Sequence, residues 1–175
     1  MITGGSAGGH LSLLAGLSPG HPDWQEGFEG GDTAVQGVLA LYPVVDFTNR
    51  HGIRQQDRMD GFITRRIIQK TREAAPEVFE DGSPISWIHR TGVAQGAPPF
   101  CIVQGTHDSL VWVEEVRRFV AEFSPLATAP VVYAELPRAQ HAFEMFHSPR
   151  TSHYLNAAAT WLEWVRAQHD KQSDR

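Results

Sequence analysis

Ser6, Asp108 and His141 are the residues whose types and surroundings could together carry out acyl transfer. Ser6 lies in Gly4-Gly5-Ser6-Ala7-Gly8, a G-x-S-x-G spacing. That spacing has a mechanical reason. A serine on a tight strand-to-helix turn has strained backbone angles and projects its hydroxyl outward. Bulky residues two before and two after it would collide with the neighbouring strand and helix, which predicts glycine at positions 4 and 8. The following helix aims its N-terminal N–H groups at the hydroxyl, where they can stabilise negative charge. The same five residues also fit a plain Gly-rich turn, so the order of the downstream residues decides between the two.

A serine hydroxyl is a poor nucleophile until a base takes its proton. An imidazole titrating near neutrality can accept that proton and return it to a leaving group. A carboxylate fixes the imidazole tautomer and stabilises the imidazolium. His141 and Asp108 are the candidates because each follows an apolar run that reads as a strand, PVVYAEL and PFCIVQ respectively. In a parallel sheet, functional groups gather just beyond the C-terminal strand ends. Asp46 also follows an apolar run and is the rival acid. Asp108 is favoured because its strand immediately precedes the one leading to His141.

The elements that must position these groups alternate between strands and helices. Ser6–Leu17 suits a helix with Leu11, Leu13, Leu14 and Leu17 on its apolar face, stopped by Ser18-Pro19-Gly20. His21–Thr33 reads as a loop. Val35–Val45 is a near-continuous apolar run, as expected of a strand buried on both faces. Phe47–Ala97 has the length and mixed polarity of an insertion over a sheet edge. It holds an expected helix over Gly61–Arg72, another beginning near Pro76, and a turn at Ser83–Ser86 packed by Trp87 and Ile88. Pro99–Gln104 and Pro130–Leu136 are strands. Val113–Phe123 is a helix with Val113, Val116, Phe119, Val120 and Phe123 inward and Glu114, Glu115, Arg117 and Arg118 outward. Tyr154–Val165 is a last helix with Leu155, Ala158, Trp161, Leu162 and Val165 inward, and His169–Arg175 reads as a frayed tail. This order predicts an α/β domain with a parallel sheet.

Composition narrows the function classes. The 175 residues fit one domain, and the formal charge of −5 gives no basic field for nucleic acid or an anionic membrane. No stretch approaches the roughly 20 apolar residues of a membrane span. A lone cysteine, Cys101, excludes an internal disulfide, reads as a core residue and is compatible with the cytoplasm. The nine histidines show no H-E-x-x-H pattern and no Cys/His cluster, so no metal site is expected. Glu114 and Glu144 read as solvated, and His107 and His147 as neighbours rather than participants.

Together GGSAGGHLSLLAGL, YPVVDFT, SPISWI, PPFCIVQGTHDSLV and AELPRAQHAF resemble the C-terminal part of bacterial esterase/lipase enzymes of the α/β-hydrolase fold, nearest to the group related to hormone-sensitive lipase. The resemblance covers nearly the whole chain, and the serine, aspartate and histidine follow in the order of that fold. It implies that Ser6 matches the nucleophile, Asp108 the triad acid and His141 the general base. Gly4, Gly5 and Gly8 match the nucleophile elbow, and the Ala7 backbone N–H matches an oxyanion-hole donor. A small-molecule carboxylic ester as substrate and no cofactor are implied as well. Two alternatives keep the same letters: a peptidase or amidase using the same triad, and a fragment or binding module without a working site.

The sequence departs from the family at its start. Only Met1, Ile2 and Thr3 precede the elbow, and the family's HGGG-type oxyanion loop has no counterpart. The expectation is a domain that begins at its nucleophile elbow. Loss of one oxyanion donor lowers rates by about 10²–10³. Leaving several hundred Å² of apolar surface uncovered, at roughly 25 cal/mol per Å², would exceed the usual stability margin of about 5–15 kcal/mol. Weak catalysis, low stability and self-association through an exposed sheet edge are therefore expected.

Overall fold

Strands form where the apolar runs are. The computed structural model describes residues 1–54 and 58–173. Strands β1 (Ile2–Gly5), β2 (Val38–Leu41), β3 (Phe100–Gly105) and β4 (Val131–Leu136) make one sheet in the order β1-β2-β3-β4, parallel throughout. Around it run α1 (Ala7–Leu17), α2 (Arg58–Phe62) continued by a π-helical stretch (Ile63–Ile68), α3 (Pro76–Asp81), α4 (Pro84–Trp87), α5 (Val93–Gly96), α6 (Val113–Phe123) and α7 (Pro149–Ser173).

Successive side chains of a strand point to opposite faces. Val38, Ala40, Phe100 and Ile102 thus enter one core with Leu13, Leu14 and Leu17 of α1 and Val116, Phe119 and Phe123 of α6. Leu39, Leu41, Cys101 and Val103 enter a second core closed by Tyr154, Ala158 and Trp161 of α7. Every residue of β2 and β3 is buried, which is why both read as unbroken apolar runs.

Several expectations are revised. The strand expected over Val35–Val45 is only Val38–Leu41, although Tyr42–Phe47 stay buried. Tyr42 turns to φ 36° and Pro43 has no N–H to donate, so the ladder stops there. The segment 47–97 packs on the α1–α6 side rather than over a sheet edge: Phe47, Ile63, Phe79, Ile85 and Trp87 belong to the first core. Residues 55–57 of that segment lie outside the described residues. A short helix, α4, replaces the turn at 83–86, and the helix expected over Gly61–Arg72 ends at Ile68, where Gln69 takes a left-handed φ of 58°. Leu11 and Leu155, expected inward, are 62% and 56% exposed. Helix α7 starts earlier than expected because Pro149 opens it and the Ser148 hydroxyl accepts the Thr151 N–H at 3.1 Å. It also runs on through Ser173 where fraying was expected; residues 174–175 of that tail lie outside the described residues. Glu115, expected on the solvent face of α6, is buried against Arg54 at 3.0 Å.

Candidate active site

Ser6 sits between the last residue of β1 and the first of α1. Its backbone has φ 55° and ψ −117°, a conformation that costs a non-glycine residue about 1–3 kcal/mol. Two hydrogen bonds impose it. The Ser6 N–H still belongs to the sheet, donating to the Leu41 carbonyl at 3.0 Å, while the Ser6 carbonyl already accepts the His10 N–H at 2.9 Å as the first bond of α1. The residue must satisfy a strand on one side and a helix on the other.

The glycines around it divide by cause. A Cβ on Gly4 would lie 2.5 Å from the carbonyl carbon of Gly8, so helix and strand approach too closely there for any side chain. A Cβ on Gly5 would strike the phenol of Tyr42. Gly8 is different from the expectation: a Cβ there meets nothing within 4 Å. Its backbone is what Gly4 touches, and no collision of its own requires a glycine at 8. Ala7 is exposed and opens α1, so its N–H is one of the four that a helix leaves without an internal acceptor.

Asp108 lies three residues beyond β3, with its side chain fully buried. One carboxylate oxygen accepts the backbone N–H groups of Leu110 and Val111, both at 2.9 Å. The other accepts the Gln104 side-chain amide at 3.2 Å and faces His141 Nδ1 at 2.8 Å. His141 lies on the loop after β4. The Arg138 N–H donates to the Thr106 hydroxyl at 2.8 Å and the His107 N–H to the Ala139 carbonyl at 3.0 Å, so the two loops are stitched together. His141 Nε2 then reaches Ser6 Oγ at 2.9 Å.

The structure thus brings Ser6, His141 and Asp108 into one hydrogen-bonded run. Both separations are within the roughly 2.6–3.2 Å over which a proton can pass. An ionised carboxylate only accepts, so Nδ1 carries the proton and Nε2 offers its lone pair to the Ser6 hydroxyl. Asp46 is not part of this run. Its carboxylate accepts the N–H groups of Thr48, Asn49 and Arg50 at 2.8, 3.0 and 2.9 Å, and organises the loop after β2. His107 and His147 are exposed. Among the described residues, no group of three or more His, Cys, Asp or Glu side chains is placed to hold a metal ion, and no helix is long and apolar enough to cross a membrane.

Three residues beside the run escaped the sequence reading. Gln104 is wholly buried and braces Asp108; a polar residue ending an apolar strand was the available signal. The Tyr42 ring lies 4.4 Å from the His141 ring, tilted by 56°, and its hydroxyl donates to Glu144. Burial, then the Glu144 carboxylate, pushes the Tyr42 phenol well above its usual range. Glu144 is half-buried rather than solvated. Nothing in the local sequence separates Tyr42 from an ordinary strand residue.

Residues 1–123 match the BD-FAE family. The chain is 43% identical over 173 residues to the Probable carboxylic ester hydrolase LipM of Mycobacterium tuberculosis (strain ATCC 25618 / H37Rv), covering 96% of this chain and 38% of that protein. It is 38% identical over 175 residues to Esterase LipC of the same organism, covering 98% of this chain and 42% of that protein. The chain therefore spans about two fifths of the length of these relatives. Among solved structures, a truncated form of a carbohydrate esterase from gut microbiota superposes with a TM-score of 0.71 at 21% identity, over 94% of this chain and 59% of that one. The butyrate-bound thermophilic esterase Est2 of Thermogutta terrifontis superposes with a TM-score of 0.68 at 22% identity, over 94% of this chain and 55% of that one. These likenesses show the fold, the α/β-hydrolase fold expected from the sequence.

Proposed function

The chain belongs to the BD-FAE family, and on that premise we propose that it carries the reacting groups of a serine carboxylic-ester hydrolase. The observation that carries the reading is the run from Ser6 Oγ through His141 to Asp108, at 2.9 and 2.8 Å. The names of LipM and LipC support the ester chemistry.

In this reading Ser6 Oγ attacks the acyl carbonyl carbon as its proton passes to His141 Nε2. The imidazolium is stabilised by the buried Asp108 carboxylate. The N–H of Ala7, the first residue of α1, donates to the oxyanion of the tetrahedral intermediate, a contact of the kind worth about 10²–10³ in rate. Collapse breaks the bond to the alkoxy oxygen, which takes the proton from His141 and leaves as the alcohol. Water then gives a proton to His141 Nε2 as its oxygen attacks the acyl carbon; the acyl–Oγ bond breaks, Ser6 Oγ takes that proton back from His141, and the acid departs. The substrate class is small esters with short to medium acyl chains.

A fluorophosphonate probe tests the nucleophile. The expected result is a mass increase on the peptide holding Ser6, lost in Ser6→Ala together with hydrolysis of p-nitrophenyl butyrate. A label on another residue, or a Ser6→Ala variant that turns over at the parent rate, refutes the assignment. Faster release from a matched p-nitroanilide than from the ester would assign an amidase instead.

A further inference from the structure

The loop carrying His141 is gripped from below by a residue of another strand end. Tyr42 is buried and is held at φ 36°, a backbone conformation that L side chains rarely adopt. This turn is what places the ring. Its N–H donates to the Val103 carbonyl at 2.7 Å, fixing the backbone to β3. Its phenol fills the space beneath Gly5, where an added Cβ would strike it. Its ring meets two side chains of the histidine loop: His141, at 4.4 Å between centroids, and Phe143, edge-on at 5.7 Å. Its hydroxyl donates to Glu144, which lies in the 3₁₀ turn Phe143–Met145 of the same loop. One side chain thus joins the serine elbow to the histidine loop.

We propose that Tyr42 is a positioning residue that fixes the His141 ring and stabilises its protonated form through the face of the phenol, with Glu144 holding and polarising that phenol. This rests on the reading of His141 as the base. A cation over the face of an aromatic ring, within about 6 Å of its centroid, is attracted by the ring's negative face, and more strongly where water is excluded; the tilted His141 ring, 4.4 Å from the Tyr42 centroid, is within that reach. An O–H donated to a carboxylate sends electron density into the ring, which strengthens that attraction. The phenol remains protonated at all working pH values, since burial and the Glu144 carboxylate both oppose its ionisation. Among the described residues, Asp108 faces His141 Nδ1 and Glu144 faces the Tyr42 hydroxyl, and Tyr154 and Asp108 also act on the phenol. Removing the ring leaves Asp108 in place, so the tautomer survives while the imidazolium loses support. His141 then binds its proton less tightly, and its apparent pKa falls.

The test is the titration of the His141 ring protons by NMR in the parent chain, Tyr42→Leu, Tyr42→Phe and Glu144→Gln, alongside p-nitrophenyl butyrate kinetics. Tyr42→Leu should lower the His141 pKa by about half a unit to one and a half units, from the cation–ring range. It should lower kcat about threefold to thirtyfold with KM little changed. Tyr42→Phe keeps the ring and should recover more than half of both losses. Glu144→Gln should give a smaller fall of the same sign. An unmoved titration in Tyr42→Leu, or a Tyr42→Phe loss as large as that of Tyr42→Leu, overturns the proposal. If Tyr42→Leu does not fold, unmoved titrations in both Tyr42→Phe and Glu144→Gln overturn it. The titration needs no turnover, so it is independent of the ester-hydrolase reading. Absence of label at Ser6 sinks that reading, whereas normal labelling with an unmoved titration sinks this one alone.

Discussion

Replacing Asp108 by asparagine is the perturbation that separates the two candidate acids. In the parent chain the Asp108 carboxylate meets four donors: the N–H groups of Leu110 and Val111 on one oxygen, and Gln104 and His141 Nδ1 on the other. Asparagine has one acceptor oxygen and one donor nitrogen. Its oxygen must stay on the two backbone N–H groups, because a nitrogen there would face two donors. The nitrogen then faces Gln104 and His141. His141 can accept from it only by moving its own proton to Nε2, where the ring can no longer take the Ser6 proton. The same wrong-tautomer substitution in a serine protease lowers kcat about 10⁴-fold, or about 5 kcal/mol of transition-state stabilisation. Stability should fall by about 1–3 kcal/mol through the unmatched donors. Asp46→Asn is the control. Its oxygen can keep Thr48 and Asn49, and only the Arg50 N–H loses an acceptor. That predicts a loss of about 1–2 kcal/mol in stability and a change in turnover of only a few fold. The assay is p-nitrophenyl butyrate hydrolysis under saturating substrate, with the rate of fluorophosphonate labelling at Ser6 as a second measure and urea unfolding for stability. A larger loss of turnover in Asp46→Asn than in Asp108→Asn would refute the reasoning.

Gly4→Ala should destabilise the chain by several kcal/mol and abolish labelling, because the new methyl group would sit 2.5 Å from the Gly8 backbone, whereas Gly8→Ala, which meets nothing, should fold and melt near the parent temperature. Thermal unfolding of the two variants checks this. His10 is stacked on Phe47 at 4.5 Å and its Nδ1 lies 2.9 Å from the Val44 carbonyl; burial holds its pKa below the ordinary value against the smaller opposing effect of that bond. The unfolded chain therefore binds the proton first as pH falls. His10 contributes stability that is complete above about pH 6.5 and is lost as the pH drops toward the lowered folded value. The urea midpoint should fall more steeply between pH 7.5 and 5.5 in the parent than in His10→Phe; parallel curves would refute it.

Local chemistry determined more than the outline of this protein. Glycine at position 4 and a serine before a helical pattern specify the elbow, because only a missing Cβ lets strand and helix meet that closely. Apolar runs around Leu39 and Ile102 specify buried parallel strands, because both faces of those strands must be covered. Asp108 and His141 stand out as candidates because each follows such a run, and the fold brings them to 2.8 Å of one another. What the chain could not announce are properties of surfaces that meet from distant parts of it. Leu11 and Leu155 carry the right letters for a core, yet point outward, since helix orientation is set by the partner surface. Asp46 and Asp108 are both aspartates after apolar runs. Only the approach of the β3 and β4 loops gives one of them an imidazole and leaves the other to cap a turn. Tyr42 and Glu144 are 102 residues apart, and Glu115 is 61 from Arg54. No periodicity records such pairings, because they exist only once the sheet has brought its strand ends to one rim.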